Sequence, residues 1–600
     1  MRLSLDHDNV AAAPAAPAPA DPTTPDVGFL KTEFAVSLQS FFVTIERAMA
    51  ANPVPMARFL ALAGQAKLGT LAGADAQEFQ GLRLQAVRQG RAVGAVTGFF
   101  LKFRPYPMLA EVRAKGTYFQ PAFGPVLVVE GDAVRDVLAR DQEFTVEPYG
   151  VEMKKVMTPA HNGGFDTFIL STDDNAVYEP DKRLLSAVCN RADAALITDV
   201  VHQDCMRRVG AVVAAARAGG PSAIDVVQAV ARYVPVTLGH RYLGVPVAAQ
   251  PGTFELTPDM LTYYGTPIEG QAETALATAD GIIPDERVMY GWIKAAFQHF
   301  FNNVQKDPVV QAQGLRSCRL LLAYLLREIA IQRQRLRDGQ PVDDTMLTRL
   351  VRFQLGQASP TVALPADLDP RLVSDLRIAE NMMGTIVGAV AGQEEATCRV
   401  VDSLMRLQEG EYRTSGPATS RFGSFAEAVQ LARNVLGGTA VTESRATLYA
   451  YCMEALRLQP QGEVLLRKCA KDGSRIGDSR PLTAGTLVFA SHGSAMHDVP
   501  EADAFILGRP REHHLQYGWS RHTCLGQYVS PVIIVESVIA LLGLRDLARS
   551  EPVAGEAAFP LERRTGRLQL DDQNLYAASF SLCFADAGST RRVWPVPSQP

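Results

Sequence analysis

Residues 517–526 read Tyr517-Gly518-Trp519-Ser520-Arg521-His522-Thr523-Cys524-Leu525-Gly526, just ahead of an apolar run from Val529 to Leu542. One cysteine stands between glycines, beside a histidine that can carry a positive charge. Only the thiolate form of cysteine binds metal or attacks an electrophile, and a helix N-terminus or a nearby cation lowers its pKa. Gly518 and Gly526 let backbone approach a flat, bulky group, or supply positive φ. Taken alone, the stretch admits three readings: the thiolate ligand of a haem iron, a catalytic cysteine, or a buried structural thiol.

Composition narrows the field. The chain has 600 residues, 47% hydrophobic and 20% charged, enough apolar material for a large globular core. A net charge of −5 without a block of like charge lacks the basic stripe of a nucleic-acid binder, so no nucleic-acid partner is expected. Eight scattered cysteines with no C-x-x-C pair suit reduced thiols and a cytoplasmic setting. Met1-Arg2 leads into Asp6-His7-Asp8 and an Ala/Pro-rich stretch, not the apolar core of a secretory leader. No run of 18 apolar residues occurs, so no transmembrane segment is expected.

Residues 1–27 read as a disordered tail and 28–98 as a helical extension, with residues 99–590 forming the main domain. Within that domain, helical patterns are expected at 180–217, 222–243, 286–338 and 439–458, and 265–281 is polar and loop-like. The longest helical signal spans Leu372 to Gln408 after a linker at Pro360–Pro370. Its centre carries Gly384, Gly388 and Gly392 on one face, open to a flat group or to a close helix neighbour. Short strands are expected at 123–129, 464–466, 485–490 and 575–584, which makes the chain mainly α with small β sheets.

The residues preceding the cysteine stretch decide among its readings. Glu454 and Arg457 stand at i and i+3 on a helix, Arg467 follows on a strand, then His497-Asp498, Phe505 and Arg509-Pro510. This ordered set resembles the C-terminal half of the cytochrome P450 family. Its haem-binding signature is F-x-x-G-x-R-x-C-x-G, with Tyr517 here at the Phe position, Ser520 at the first Gly, His522 at the Arg, Cys524 at the ligand and Gly526 at the last Gly. Gly518 matches a further frequent glycine. Asp343 to Leu347 is similar to the acidic segment before the family's long central helix, and Ala391-Gly392-Gln393-Glu394 to that helix's Ala-Gly-x-acid motif.

The resemblance implies the P450 fold over residues 100–590 and a haem b whose iron is ligated by the Cys524 thiolate. It implies a structural clamp of Glu454, Arg457 and Arg509. Arg467, His522, Lys182 and Arg183 would serve the haem carboxylates, His522 only when protonated. It further implies an oxidoreductase that inserts one oxygen atom into a small apolar organic or lipid substrate. Electrons would come from a separate donor of the ferredoxin type.

The oxygen-activating segment departs from the family pattern, Ala-Gly-x-acid-Thr. Glu395 stands at the threonine position, and Thr397 lies two residues on, roughly 200° around the helix. Gln393, Glu394, Glu395 and Thr397 are therefore the candidate catalytic residues, and adjacent buried carboxylates raise one another's pKa. Gln393 also matches half of the Ala-Asn-x-x-Gln motif of fatty-acid diol synthase P450 domains, with Val390 in place of the Asn. This opens an alternative: a hydroperoxide isomerase or peroxygenase needing no reductant, with a haem dioxygenase as partner. A non-catalytic haem-binding protein is a third reading. His492, His497, His513, His514 and His522 crowd the same region, but their spacing fits no usual zinc signature. Pro531, seven residues past Cys524, is expected to kink the following helix or delay its start.

Overall fold

The computed structural model describes residues 24–26, 40–103, 105–156, 168–248, 284–303, 307–550, 569–570 and 577–585. Nearly all of the 1–27 tail and the whole 265–281 loop lie outside these residues. The chain divides into two compact units, one from residues up to Phe99 with Pro121–Pro125, the other from Phe100–Gln120 and Val126 onward.

The first unit is helical: Phe41–Ala51, Met56–Lys67 and a long helix that begins at Gly73. Ser40 caps the first, its hydroxyl accepting from the Val43 N–H. The buried face runs through Phe41, Ile45, Leu62, Leu82, Val93 and Val96.

The second unit is built around one helix, Asp375–Gln408, of 34 residues and about 50 Å. The Ser374 hydroxyl caps it by accepting from the Arg377 N–H. It is buried on almost every side because helices pack all around it: Glu286–Phe297, Pro308–Arg337, Val441–Leu458 and Ser530–Leu542. Its buried surface includes polar groups, among them Glu380, Gln393, Glu394, Glu395 and Asp402, which therefore need partners on the surrounding elements. Its three glycines differ in surroundings. A Cβ on Gly384 would strike the Phe168 ring, and one on Gly392 would come within 3.3 Å of the Gln461 amide. One on Gly388 would meet nothing within 4 Å, and Gly388 is exposed in a helix otherwise nearly buried.

A five-stranded sheet lies beside the helices, in the order 118–119, 126–128, 487–490, 465–469, 144–145. Its pairs are antiparallel except 126–128 with 487–490. The sheet carries Arg467 opposite Val488. Among the described residues, no helix is long and apolar enough to cross a membrane.

One expectation needs correction. Residues 222–243 are not one helix. Ala223–Asp225 is a strand paired with Ser581–Ala585, and two π-helical turns, Val227–Ala231 and Gly239–Leu243, flank a short α segment. A distant strand from the C-terminal region overrides local propensity there, and the Asp225 carboxylate caps the turn that follows. The segment Asp343–Leu347 precedes the central helix, as expected. Thr345 forms a capping box with Thr348 that starts a separate helix, Met346–Gln354. Pro531 behaves as expected, in the first turn of a helix that begins only at Ser530.

Candidate active site

The geometry at Cys524 starts from backbone. Gly518 has φ 74° and Ser520 φ 60°, so two left-handed residues fold the chain back before the cysteine. Serine thus takes, at its own conformational expense, the backbone state that glycine adopts freely. The Cys524 N–H donates to the Tyr517 carbonyl at 2.8 Å, closing the loop. The Gly526 N–H donates to Cys524 Sγ at 3.3 Å. Burial pushes the Cys524 thiol up, and the Gly526 hydrogen bond opposes that shift.

The helix Asn175–Val188 holds the loop from the side. Tyr178 Oη and Lys182 Nζ, one turn apart, both donate to the Arg521 carbonyl, the lysine at 2.9 Å. The Arg521 guanidinium lies 4.2 Å over the Tyr178 ring and pairs with Asp141 at 3.0 Å. Arg183 takes no part in this ring. It pairs with Asp367 on a half-exposed surface.

His522 is buried, with Nε2 2.9 Å from Asp173 and Nδ1 without a hydrogen-bond partner. Burial lowers its pKa more than the Asp173 contact raises it. A neutral ring has one N–H, so a carboxylate at Nδ1 requires the imidazolium once Asp173 takes the Nε2 proton. Arg467 is the more telling group. It is buried, its Nε has no hydrogen-bond partner, and no ion-pair partner exists for it among the described residues. Desolvation lowers its pKa. A buried guanidinium without a carboxylate is unfavourable by several kcal/mol in the isolated chain, and its fork is shaped for one.

Behind the loop, Glu454 and Arg457 are fully buried and bidentate, both contacts at 2.9 Å. Arg509 Nε reaches the same carboxylate at 3.0 Å. Arg457 also donates to the carbonyls of Met496, Ala502 and Ala504, and Glu454 accepts the Ile506 N–H. The clamp therefore ties the Val441–Leu458 helix to the irregular backbone that leads toward the cysteine loop.

On the central helix the four candidate residues part company. Gln393 Oε1 accepts from Ser530 at 3.0 Å, on the helix after the cysteine. Glu394 is fully buried, bound by Arg232 Nη2 at 3.0 Å and by the Tyr290 hydroxyl. Burial nevertheless pushes its carboxyl up. Glu395 is buried beside Arg399 at 3.3 Å, and desolvation pushes it up to about 7. Thr397 is buried and its hydroxyl has no hydrogen-bond partner. The sequence reading missed Arg232, Tyr290, Asp173 and Ser530. A signal was present for Arg232: a lone cation inside the apolar run Val226–Val236 needs a buried partner. Among the described residues, no group of three or more His, Cys, Asp or Glu is placed to hold a metal ion.

No protein-family model and no curated protein matches the chain. Solved structures do. Cytochrome P450 CYP109Q5 from Chondromyces apiculatus aligns with a TM-score of 0.52 and 16% identity, covering 81% of this chain and 97% of that one. The haem domain of CYP116B5 from Acinetobacter radioresistens gives 0.54 and 13%, over 82% and 99%. CalO2 gives 0.54 and 16%, over 81% and 97%. The cysteine turn, the buried Glu-Arg-Arg clamp and the long central helix thus sit in a known frame: the chain has the cytochrome P450 fold.

Proposed function

We propose that the protein is a haem-thiolate monooxygenase. It binds haem b through Cys524 and inserts one oxygen atom of dioxygen into an apolar organic or lipid substrate, with electrons from a separate ferredoxin-type donor. The observation that carries the reading is the Cys524 turn, folded by two left-handed residues, with the buried, unpaired Arg467 Nε as the partner for a haem carboxylate. Gly388, exposed and with open space beside it on the central helix, fits a flat group or a substrate at that level.

Thiolate-ligated haem supplies reductive dioxygen activation, the thiolate pushing electron density toward the iron and favouring O–O cleavage. The chain's own part is to hold and protonate. The Gly526 N–H stabilises negative charge on Cys524 Sγ. Arg467 would pair with a haem carboxylate, and Lys182 holds the ligand loop through the Arg521 carbonyl. Glu395, with a carboxyl near 7, both carries and releases a proton around neutral pH, the role a general acid needs. Glu394 is engaged by Arg232 and Tyr290 and holds those two elements against the central helix.

Turnover with reductant under labelled dioxygen tests this. One labelled oxygen in the product is expected, and product formed only from a hydroperoxide without reductant contradicts it. That second outcome belongs to the alternative reading, hydroperoxide isomerase or peroxygenase. It is favoured by one observation: Glu395 replaces the hydroxyl of the P450 pattern and is tied to Arg399.

A further inference from the structure

Gln393 stood out in the sequence as a candidate for direct chemistry, yet its side chain is engaged elsewhere. Ser530 Oγ donates to Gln393 Oε1 at 3.0 Å, and Tyr517 Oη lies 3.0 Å from Ser530 Oγ. A serine hydroxyl has one proton. That proton goes to Gln393, so the phenol is the donor in the Tyr517–Ser530 bond. The chain therefore has a direction, from Tyr517 through Ser530 to Gln393.

The three residues come from three elements. Tyr517 opens the cysteine loop and its carbonyl accepts the Cys524 N–H. Ser530 is the first residue of the helix that follows, and Gln393 is on the central helix. Ser530 and Gln393 are buried, so a polar atom left unpaired there is unfavourable by about 1–3 kcal/mol. Tyr517 thus grips the ligand backbone with its main chain and, through Ser530, reaches the central helix with its side chain.

We propose that Tyr517, Ser530 and Gln393 form a positioning relay that fixes the cysteine loop against the central helix, so that Gln393 acts on the iron through its thiolate and not on the substrate. The inference rests on the haem-thiolate reading. It predicts that breaking the relay at a point remote from Cys524 loosens the thiolate ligand while the fold persists.

The test compares the haem-loaded full chain as wild type, Gln393→Leu, Ser530→Ala, the double variant and Ser530→Thr. Two quantities are read: how fast the ferrous carbon monoxide complex loses its thiolate-type Soret band on warming, and the urea midpoint. Each single variant is expected to speed the band's loss about tenfold, the equivalent of about 1.4 kcal/mol. The double variant should do no more than either single, because both break one chain. Ser530→Thr keeps the hydroxyl and should behave as wild type. Effects that add in the double variant, or that simply track the urea midpoint, overturn the relay. Variants indistinguishable from a wild type that shows the band also overturn it, with the haem-thiolate reading intact. A wild type that never shows the band defeats the haem-thiolate reading itself.

Discussion

The cysteine loop and the segment Gln393–Thr397 are linked at one point, where Tyr517 and Gln393 both meet Ser530, yet they relate to their sequences differently. At the loop, function is written in backbone: left-handed Gly518 and Ser520, an N–H aimed at Cys524 Sγ, and a clamp whose arginines bind carbonyls. Backbone geometry demands particular residue types at fixed spacing, so a motif states it directly. On the central helix, each residue's role is set by its partner on another element. Adjacent Gln393, Glu394 and Glu395 engage Ser530, Arg232 and Arg399, in three different directions. The turn at the cysteine is therefore written in a motif, while the partners of Gln393, Glu394 and Glu395 are not.

This contrast can be broken most forcefully at the clamp. Arg457→Ala removes the bidentate partner of the buried Glu454, leaving it only Arg509 Nε and the Ile506 N–H, and strips the Met496, Ala502 and Ala504 carbonyls of a donor, so it should lower stability by about 3–5 kcal/mol in urea unfolding. A loss below about 1 kcal/mol would mean that the clamp is not what fixes the loop's approach.

Glu395 tests the other side. Its folded pKa is raised, from 4.5 to about 7, so the folded chain binds the proton more tightly than the unfolded chain. Its favourable contribution is complete below about 4.5 and is lost as pH rises through about 7. The span is about 3 kcal/mol. Glu395→Gln should remove that slope, so the variant's advantage over wild type grows from pH 5 to pH 8. Parallel stability curves across that window would show that burial does not govern Glu395.

Arg467→Met should act with opposite signs on two quantities. Haem-free protein should gain about 1–2 kcal/mol by losing a buried, unpaired charge, while haem affinity falls. Loss of both would assign Arg467 a structural role alone. Arg183→Ala marks the low end, with a change within about 0.5 kcal/mol and unaltered haem binding, since its pair with Asp367 is half-exposed.

Much of this architecture was legible in residue order. The Glu454/Arg457 spacing marked a pair on one helical turn, and the structure closes that pair and brings Arg509 to the same carboxylate. The central helix was legible from its length, and Pro531 from its fixed φ. What escaped the sequence depends on contacts between distant segments. Glu394 meets Arg232 across 162 positions, and Asp173 meets His522 across 349. The strand at Ala223–Asp225 looked helical until its partner near the C-terminus was seen. Gln393 looked chemical because spacing fixes a helical face but not what occupies it.

The most direct measurement is the difference spectrum of the reduced, carbon monoxide-bound protein, recorded for wild type and for Cys524→Ala. Wild type should show the red-shifted Soret band of thiolate ligation, and Cys524→Ala should lack it altogether. A wild type without that band, or a Cys524→Ala protein that keeps it, contradicts the assignment of Cys524 as the iron ligand.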